Sequence, residues 1–248
     1  VGHDLRTPLS SVRAIVEALA DGVVEEPETV QRYLRTAQRD IGALSHLIDD
    51  LFEMAQIDAG GIRLERQSIT LSDLISDTLE SFSKLAAEKG VELGGYVAPN
   101  TDPVVCDARQ IGRVLNNLIG NAVRYTPEGG SIFVQASRHG AEVKVVVEDS
   151  GDGIPPADLP HIFGQFYRAE KSRSRASGGA GLGLAIAKGL IEAHGGQIGV
   201  ENVNKGVAVS GARFYFTLPD GAQTRANPLL RRALPQNATA NRLSPLAP

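Results

Sequence analysis

Apolar residues recur at alternating spacings of four and three along the opening part of the chain, which is the pattern of one helix face. The pattern predicts a first helix that ends at Asp21-Gly22. A second helix begins near Pro27, because proline is favoured in the first turn, and ends at Gly60-Gly61. The apolar stripe comprises Leu5, Leu9, Val12, Val16 and Leu19, then Val30, Leu34, Ala37, Ile41, Leu44, Ile48, Leu51 and Ala55.

Two helices joined by a short loop form an antiparallel hairpin. A single hairpin has little core of its own, whereas two hairpins form a four-helix bundle. We therefore expect a homodimer that is joined through residues 1–66. The alternative is that the apolar stripes pack against the remainder of the same chain.

Short apolar runs and helical segments alternate over residues 67–219, which predicts an α/β sandwich, so the whole chain is multidomain, α followed by α+β. Residues 155–180, rich in Pro, Gly, Ser and Arg, predict a mobile loop. Residues 220–248 lack periodicity and predict a disordered tail. Helices are predicted over residues 71–89, 107–124 and 182–194, and strands over 62–69, 91–97, 104–105, 132–137, 143–148, 198–203 and 213–218.

Composition narrows the classes of protein without naming one. Of the 248 residues, 42% are apolar and 22% are charged, as in ordinary globular proteins. A net charge of −4 gives no reason to expect nucleic acid as a partner. The single cysteine, Cys106, excludes an intramolecular disulfide and suits a reducing compartment. No apolar run is long enough to span a bilayer. Because the chain begins at Val1, we expect a fragment of a longer protein.

The opening motif places chemistry on the first helix. At 100° per residue, His3 lies about 160° from the apolar seam, so its ring should face solvent. A neutral imidazole is a nucleophile, and the neighbouring carboxylate of Asp4 can orient it. Thr7 lies on the same side, and Pro8 should bend the helix nearby. The alternative is an ordinary surface histidine.

Two later segments carry polar groups that suit a nucleotide. Asn117, Asn121 and Arg124 share a helix face, where amide oxygens can ligate Mg²⁺ and arginine can neutralise phosphate. The second segment, Asp149-Ser-Gly151-Asp-Gly153, follows an apolar strand; its first aspartate can accept a hydrogen bond from an adenine amino group. A solvated helix face and a simple turn are the respective alternatives.

Two further segments complete the set. Phe163-Gly-Gln-Phe166-Tyr167-Arg168 is an aromatic cluster that could bind the ligand or anchor a loop. Gly178-Gly179-Ala-Gly181-Leu182-Gly183 runs directly into a helix, where free backbone N–H groups can bind phosphate.

In this order, H-D-L-R-T-P-L, N-L-I-G-N-A-V-R-Y-T-P, D-S-G-D-G-I, F-x-x-F-Y-R and G-x-G-L-G-L-A-I resemble the H, N, G1, F and G2 boxes of two-component sensor histidine kinases. The resemblance covers about residues 1–218. It implies a dimeric phosphoacceptor hairpin followed by a Bergerat-type ATP-binding domain, with ATP and Mg²⁺ bound. It further implies a response regulator as partner, and a cytoplasmic portion of a parent anchored in the bacterial inner membrane.

The resemblance also implies residue roles. His3 would be phosphorylated, Asp4 would assist as base, and Thr7 would position water for dephosphorylation. Asn121 would ligate Mg²⁺ with support from Asn117. The other implied ATP-binding residues are Arg124, Tyr125, Asp149, Gly151, Gly153, Phe166, Arg168, Gly179, Gly181, Leu182 and Gly183.

Some positions depart from the family pattern. Asp4 stands where glutamate is common, and Gly211-Ala212-Arg213-Phe214 lacks the threonine of a later glycine box. ATP-hydrolysing clamps of the same superfamily carry glutamate at the position of Asn117, and asparagine cannot remove a proton at neutral pH. A signalling scaffold that binds ATP without histidine phosphorylation is the other alternative.

Overall fold

The computed structural model describes residues 2–168, 180–205 and 208–219, apart from the side chains of residues 3, 4, 204, 205, 208 and 209. The hairpin consists of α1 (Gly2–Ala20) and α2 (Pro27–Asp58), as the apolar spacing predicts. Pro27 is the first residue of α2, where its missing N–H costs nothing. Gly22 and Gly60 adopt positive φ after the two helices.

The remaining elements form a two-layer sandwich. A five-stranded sheet has the order β2-β4-β5-β7-β6, in which β2 and β4 are parallel and the other pairs antiparallel. A second sheet pairs β1 with β3. The helices are α3 (Leu71–Glu88), α4 (Ala108–Tyr125) and α5 (Gly183–Ala193), and the strands are β1 (Gln67–Ile69), β2 (Glu92–Val97), β3 (Val104–Cys106), β4 (Ser131–His139), β5 (Glu142–Asp149), β6 (Ile198–Lys205) and β7 (Ala208–Pro219).

The core lies between the inner face of the larger sheet and the helices. Alternate residues of β4 and β5 point inward, so every second side chain is buried. Each fully buried Ile or Leu contributes about 1.5–3 kcal/mol through its removal from water. Cys106 is buried in this core, and burial raises the pKa of its thiol to about 12. The inward stripe of α4 is Ile111, Val114, Leu115, Leu118, Ile119, Ala122 and Val123.

The apolar residues of the hairpin lie in two environments. Leu47 and Met54 of α2 are buried in one cluster with the sandwich core. Ile57 lies against Gly189 of α5, where a Cβ would approach the Ile57 side chain to 2.5 Å. The carboxyl-terminal part of α2 therefore packs on the sandwich within one chain, through these residues outside the predicted stripe and through the partly buried Leu51 within it. Five residues of the predicted stripe are instead exposed: Leu9, Val16, Leu34, Ile41 and Ile48.

The boundaries predicted from sequence are close to those observed. The strand predicted over 62–69 is shorter, because only Gln67–Ile69 pairs with β3. The last two strands are longer than predicted, since β6 and β7 extend towards each other as a hairpin. Of the loop predicted over 155–180, residues 155–168 form turns and bends, while residues 169–179 lie outside the described residues. The predicted tail, 220–248, lies outside them too.

A buried histidine ties the segment after the hairpin to the sandwich. The N–H of Asp107 donates to Nε2 of His194 at 3.1 Å, so Nδ1 carries the proton and donates to Leu190 O at 2.8 Å. The Asp107 carboxylate accepts from the N–H of Glu65 at 2.9 Å. Burial is the main cause that lowers the pKa of His194, and Arg66 lowers it further. The neutral ring is thus a structural part of this junction.

We expect the free energy of unfolding to fall on acidification below about pH 6.5, the ordinary pKa of histidine. The unfolded state binds the proton there, whereas the folded state does so only at lower pH, so stability rises with pH across that window. The slope approaches about 1.4 kcal/mol per pH unit. Urea unfolding at several pH values measures it. His194→Gln should lose this dependence of the unfolding free energy on pH. His139→Gln, at an exposed position, should keep it. Equal slopes in the wild type and both variants would contradict the structural role of His194.

Candidate functional site

A cavity of about 460 Å³ opens between α4, the end of β5 and the start of α5. Polar groups from all three elements converge on it, together with one carboxylate from the hairpin. Such a concave site with few convergent polar groups is typical of small-molecule binding. Its lining is Asp50, Asn117, Asn121, Ala122, Arg124, Tyr125, Asp149, Asp152, Gly153, Ile154, Pro155, Ile162, Tyr167, Arg168, Ala180, Gly181, Gly183, Leu184, Ala212 and Phe214.

The polar face of α4 forms one wall. Asn117, Asn121 and Arg124 follow helical spacing, and all three line the cavity because the opposite face of α4 is buried in the core. Nε and Nη2 of Arg124 and Nδ2 of Asn117 are buried and have no hydrogen-bond partner among the described residues. The guanidinium of Arg124 lies over the Tyr125 ring at 5.4 Å, but buried nitrogens without an acceptor are costly, so this wall favours an anion with several acceptor oxygens.

Asp149 stands at the end of β5 and is buried. Its Oδ1 accepts from the N–H of Gly151 at 2.9 Å and from the N–H of Ala212 at 3.3 Å. Both donors use the same oxygen, which leaves Oδ2 for a ligand. Burial is the largest cause and raises the pKa of Asp149 above the usual carboxylate range; the two N–H groups lower it, and Glu148 raises it.

The structure shows why position 211 is a glycine in the segment Gly211-Ala212-Arg213-Phe214, which lacks the usual threonine of this box. A Cβ at this position would lie 1.8 Å from the carbonyl oxygen of Asp149. Its φ of +149° is also one that other residues rarely adopt. The glycine therefore brings β7 close enough for the backbone of Ala212 to hold Asp149. The contribution of this box comes from the main chain and needs no side-chain hydroxyl.

Two glycines shape the opposite wall, where the backbone turns into α5. Gly181 has a φ of +72°, and a Cβ there would lie 2.7 Å from the carbonyl oxygen of Tyr167. Gly183, the first residue of α5, faces Asn117, whose Oδ1 would lie 2.7 Å from an added Cβ. The first N–H groups of a helix have no partner within the helix and attract anions.

The structure brings together most of the predicted ligand-binding residues. Three described ones do not line the cavity: Gly151 lies behind Asp149, Leu182 is buried in the core, and Phe166 is exposed at a φ of +60°. Gly179 lies outside the described residues. The predicted residues that do line it are Asn117, Asn121, Arg124, Tyr125, Asp149, Gly153, Arg168, Gly181 and Gly183.

The opening motif lies on α1. His3 and Asp4 belong to its first turn, and their side chains lie outside the described ones. Thr7 is exposed. Leu5 packs against the cluster that contains the sandwich core, so this end of the hairpin is close to the sandwich.

Sequence reasoning missed several residues of the site. Tyr167 lines the cavity where Phe166 was expected, and its hydroxyl donates to Asp158. Phe214 of β7 reaches the cavity and packs edge-to-face on Phe163 at 6.4 Å. Asp50 comes from the hairpin. The aromatic residues lie inside boxes already recognised, whereas nothing in the pattern of α2 distinguishes Asp50 from its neighbours.

A conventional metal site is not found in the described ranges, because no cluster of three His, Cys, Asp or Glu side chains could hold an ion there. Among the helices that the structure describes, none has the length and apolar character needed to cross a membrane.

Two family models match the chain. The model of the His Kinase A (phospho-acceptor) domain matches residues 1–60. The model of the histidine kinase-, DNA gyrase B- and HSP90-like ATPase matches residues 106–222. These two ranges correspond to the hairpin and to the greater part of the sandwich.

Characterised proteins resemble both parts at once. The sensor histidine kinase WalK of Bacillus subtilis is 35% identical over 88% of this chain and 35% of its own length. The signal transduction histidine-protein kinase BaeS of Escherichia coli is 37% identical over 80% of this chain and 42% of its own length. The chain thus spans less than half of either relative.

Solved structures share the fold. ShkA, solved in complex with AMPPNP, is 30% identical with a TM-score of 0.68 over 88% of this chain and 44% of its own. The catalytic domain of ThkA is 30% identical with a TM-score of 0.55 over 63% of this chain and 98% of its own. ThkA in complex with the response regulator TrrA is 25% identical with a TM-score of 0.69 over 91% of this chain and 61% of its own. With the cavity of the sandwich and the phosphoacceptor hairpin beside it, the chain belongs to the family of two-component sensor histidine kinases.

Proposed function

We propose that this chain is the catalytic core of a protein-histidine kinase, which transfers the γ-phosphoryl group of ATP to His3 and then to an aspartate of a response regulator. The observation that carries the proposal is the cavity itself. Unpaired cationic and amide groups of α4 face an anchored carboxylate, Asp149, across a space that suits a nucleotide.

The adenine end of the site is at Asp149. Its free oxygen, Oδ2, accepts from the exocyclic amino group of the base, while its other oxygen is held by two backbone N–H groups. Tyr125, half exposed at the edge of the cavity, supplies a ring surface beside the base. Because the ionised carboxylate only accepts hydrogen bonds, a base that presents a carbonyl oxygen to Oδ2 would place two acceptors together, so the geometry favours adenine.

The phosphate end is at Asn117, Asn121 and Arg124. Arg124 would neutralise phosphate charge through its unpaired nitrogens. Asn121, supported by Asn117, would hold Mg²⁺, which prefers hard oxygen ligands and shares them with phosphates. The bound ion would offset negative charge as the γ-phosphoryl group leaves. Gly181 and Gly183 let the backbone N–H groups at the start of α5 approach the phosphates.

The transfer needs a nucleophile other than water. The ring nitrogen of His3 forms the new bond to phosphorus, the bond from phosphorus to the bridging oxygen of ADP breaks, and ADP leaves. Asp4 would orient the imidazole and take up its proton. The ATPase-clamp alternative lacks a base, because Asn117 stands where a carboxylate would activate water. The scaffold alternative, which also binds ATP, leaves His3 and Asp4 without a chemical role.

The partners of the proposed core follow from its surfaces and relatives. ThkA was solved with a response regulator, which supports a receiver aspartate as the next phosphate acceptor. Thr7, exposed one turn after His3, would position water when the regulator is dephosphorylated. The exposed part of the apolar stripe supports a homodimer through a four-helix bundle. We place the chain on the cytoplasmic side, where ATP is available, as part of a parent anchored in the inner membrane.

Incubation with Mg²⁺ and γ-labelled ATP, followed by mass-spectrometric mapping of the modified residue, tests the proposal. We expect a label that acid releases and base preserves, as phosphohistidine requires, and we expect it on residue 3. Label on serine, threonine or aspartate, or release of inorganic phosphate without labelled protein, would contradict it.

Asp149→Asn is expected to weaken adenine nucleotide binding by roughly 100-fold, or about 2.7 kcal/mol. The two backbone N–H groups hold one oxygen at this position, so the carbonyl of asparagine takes its place. The amide NH₂ then points at the amino group of the base, where two donors oppose each other. Calorimetric titration with ADP measures the loss.

Asp152→Asn is the matched control, since it removes the same charge from the same cavity at an exposed position. Equal losses in both variants would refute a specific role in adenine recognition. The wild-type affinity for ADP should also fall on acidification as Asp149 takes up a proton, at a higher pH than an ordinary aspartate would, because burial raises its pKa. Asp149→Asn should not show that dependence.

A further inference from the structure

The hairpin contributes a carboxylate to the nucleotide cavity. Asp50 lies on α2 and lines the cavity together with residues of the sandwich. Its Oδ1 accepts from Nη2 of Arg113 at 2.7 Å. Arg113 Nε lies 2.6 Å from Oε2 of Glu53, although without the alignment of a hydrogen bond. One arginine of α4 thus holds two carboxylates of α2, and we name Asp50, Glu53 and Arg113 the docking cluster.

The position of the docking cluster along α4 identifies the end of the cavity that it occupies. Arg113, Asn117 and Asn121 are spaced by four residues, so they form one row along the helix. Asp149 is at the other end of this row, because Gly151 packs against the carbonyl oxygen of Tyr125 at the last turn of α4. Asp50 therefore stands beyond Asn117, on the side of the terminal phosphate.

The negative charge that Asp50 presents to the cavity is only partly offset, because Arg113 is shared between two carboxylates. Burial is the largest cause that raises the pKa of Glu53; Asp50 raises it further, while Arg113 and the nearby Arg109 lower it. About a third of the Asp50 side chain is accessible, at 32%. A further negative group placed beside it would be repelled, since like charges a few ångströms apart interact unfavourably even near a protein surface.

We propose that Asp50 is a specificity-determining residue of the nucleotide site, whose carboxylate disfavours a γ-phosphate, so that the docked hairpin selects ADP over ATP. The inference rests on the proposed function, because it requires a nucleotide in the cavity. By linkage, ATP must loosen the docking of α2 on the sandwich to the same extent that docking weakens ATP binding. ATP would thereby free the hairpin to present His3, and ADP would restore the docked arrangement.

Binding of ADP and of the β,γ-imido analogue of ATP, each with Mg²⁺, tests the inference by calorimetry on the whole chain. Asp50→Asn should raise the affinity for the analogue about five-fold relative to that for ADP, as removal of one nearby like charge predicts. Asp49→Asn removes a charge from the adjacent, exposed position and should leave the ratio of affinities unchanged. Asparagine matches aspartate in shape, so the fold should be preserved.

A second measurement does not depend on any variant. Hydrogen exchange of the backbone over residues 47–57 in the wild type should be faster with the analogue than with ADP. An unchanged affinity ratio in Asp50→Asn, or the same shift in Asp49→Asn, would overturn the inference while leaving the proposed function intact. Failure of the wild type to bind either nucleotide would overturn the proposed function and this inference with it.

Discussion

His3→Gln is expected to abolish phosphorylation of the chain by ATP, with a loss of at least about 1000-fold in the rate of labelling. The amide of glutamine keeps a similar size and polarity, but its nitrogen is not a nucleophile at neutral pH. Nucleotide affinity should be unchanged, because the adenine and phosphate contacts proposed above are made by residues of the sandwich. Label incorporation and calorimetric binding of ADP, measured on the same preparation, separate the two properties.

His46 provides the matched control, since it lies exposed on α2 of the same hairpin. His46→Gln should label at the wild-type rate. If an acid-labile and base-stable label persists in His3→Gln, another histidine is the acceptor and the assignment is wrong. If His3→Gln loses nucleotide binding as well, the role of His3 is structural.

Asn121→Ala is expected to reduce the labelling rate by roughly 100-fold or more, because it removes the amide oxygen proposed to hold Mg²⁺ at the phosphates. Asn121 is half-buried on the cavity wall between Asn117 and Arg124. The alanine should still form the helix well, since alanine has the highest helix propensity. The variant should also require more Mg²⁺ for half-maximal labelling, which a purely structural defect would not change.

Asn116→Ala is the appropriate control, because Asn116 is an exposed asparagine on the other side of the same helix. It should retain the wild-type rate and magnesium requirement. Similar losses at both positions would show that the effect arises from α4 as a whole and would contradict a metal-binding role for Asn121.

The row of polar residues on α4 shows why much of the site could be predicted from sequence. Helical periodicity alone places Asn117, Asn121 and Arg124 on one face, and the apolar residues between them place the opposite face in the core. Asp149 is also predictable from local pattern, because an aspartate at the end of an apolar strand, followed by glycines, indicates a turn at the edge of a sheet. The local sequence pattern is enough to predict the position of a side chain wherever a single helix or strand determines that position.

Contacts between distant elements were not predictable in this way. Asp50 reaches the cavity only because α2 docks on the sandwich, and no local periodicity reports such docking. The heptad pattern of α2 predicts one apolar face, but the helix has two. Leu47 and Met54 pack against the sandwich, outside the predicted face. Three residues of the predicted face remain exposed: Leu34, Ile41 and Ile48. The role of Gly211 is equally non-local, since it depends on the carbonyl of Asp149, which lies on another strand.

The order of the strands has a consequence for biosynthesis. β7 is last in the sequence but lies inside the sheet, between β5 and β6, and it supplies the N–H of Ala212 that holds Asp149. A nascent chain that has left the ribosome only as far as β6 lacks both this donor and the strand that joins β6 to β5. We therefore expect the proposed adenine-binding site to form only after β7 has been synthesised.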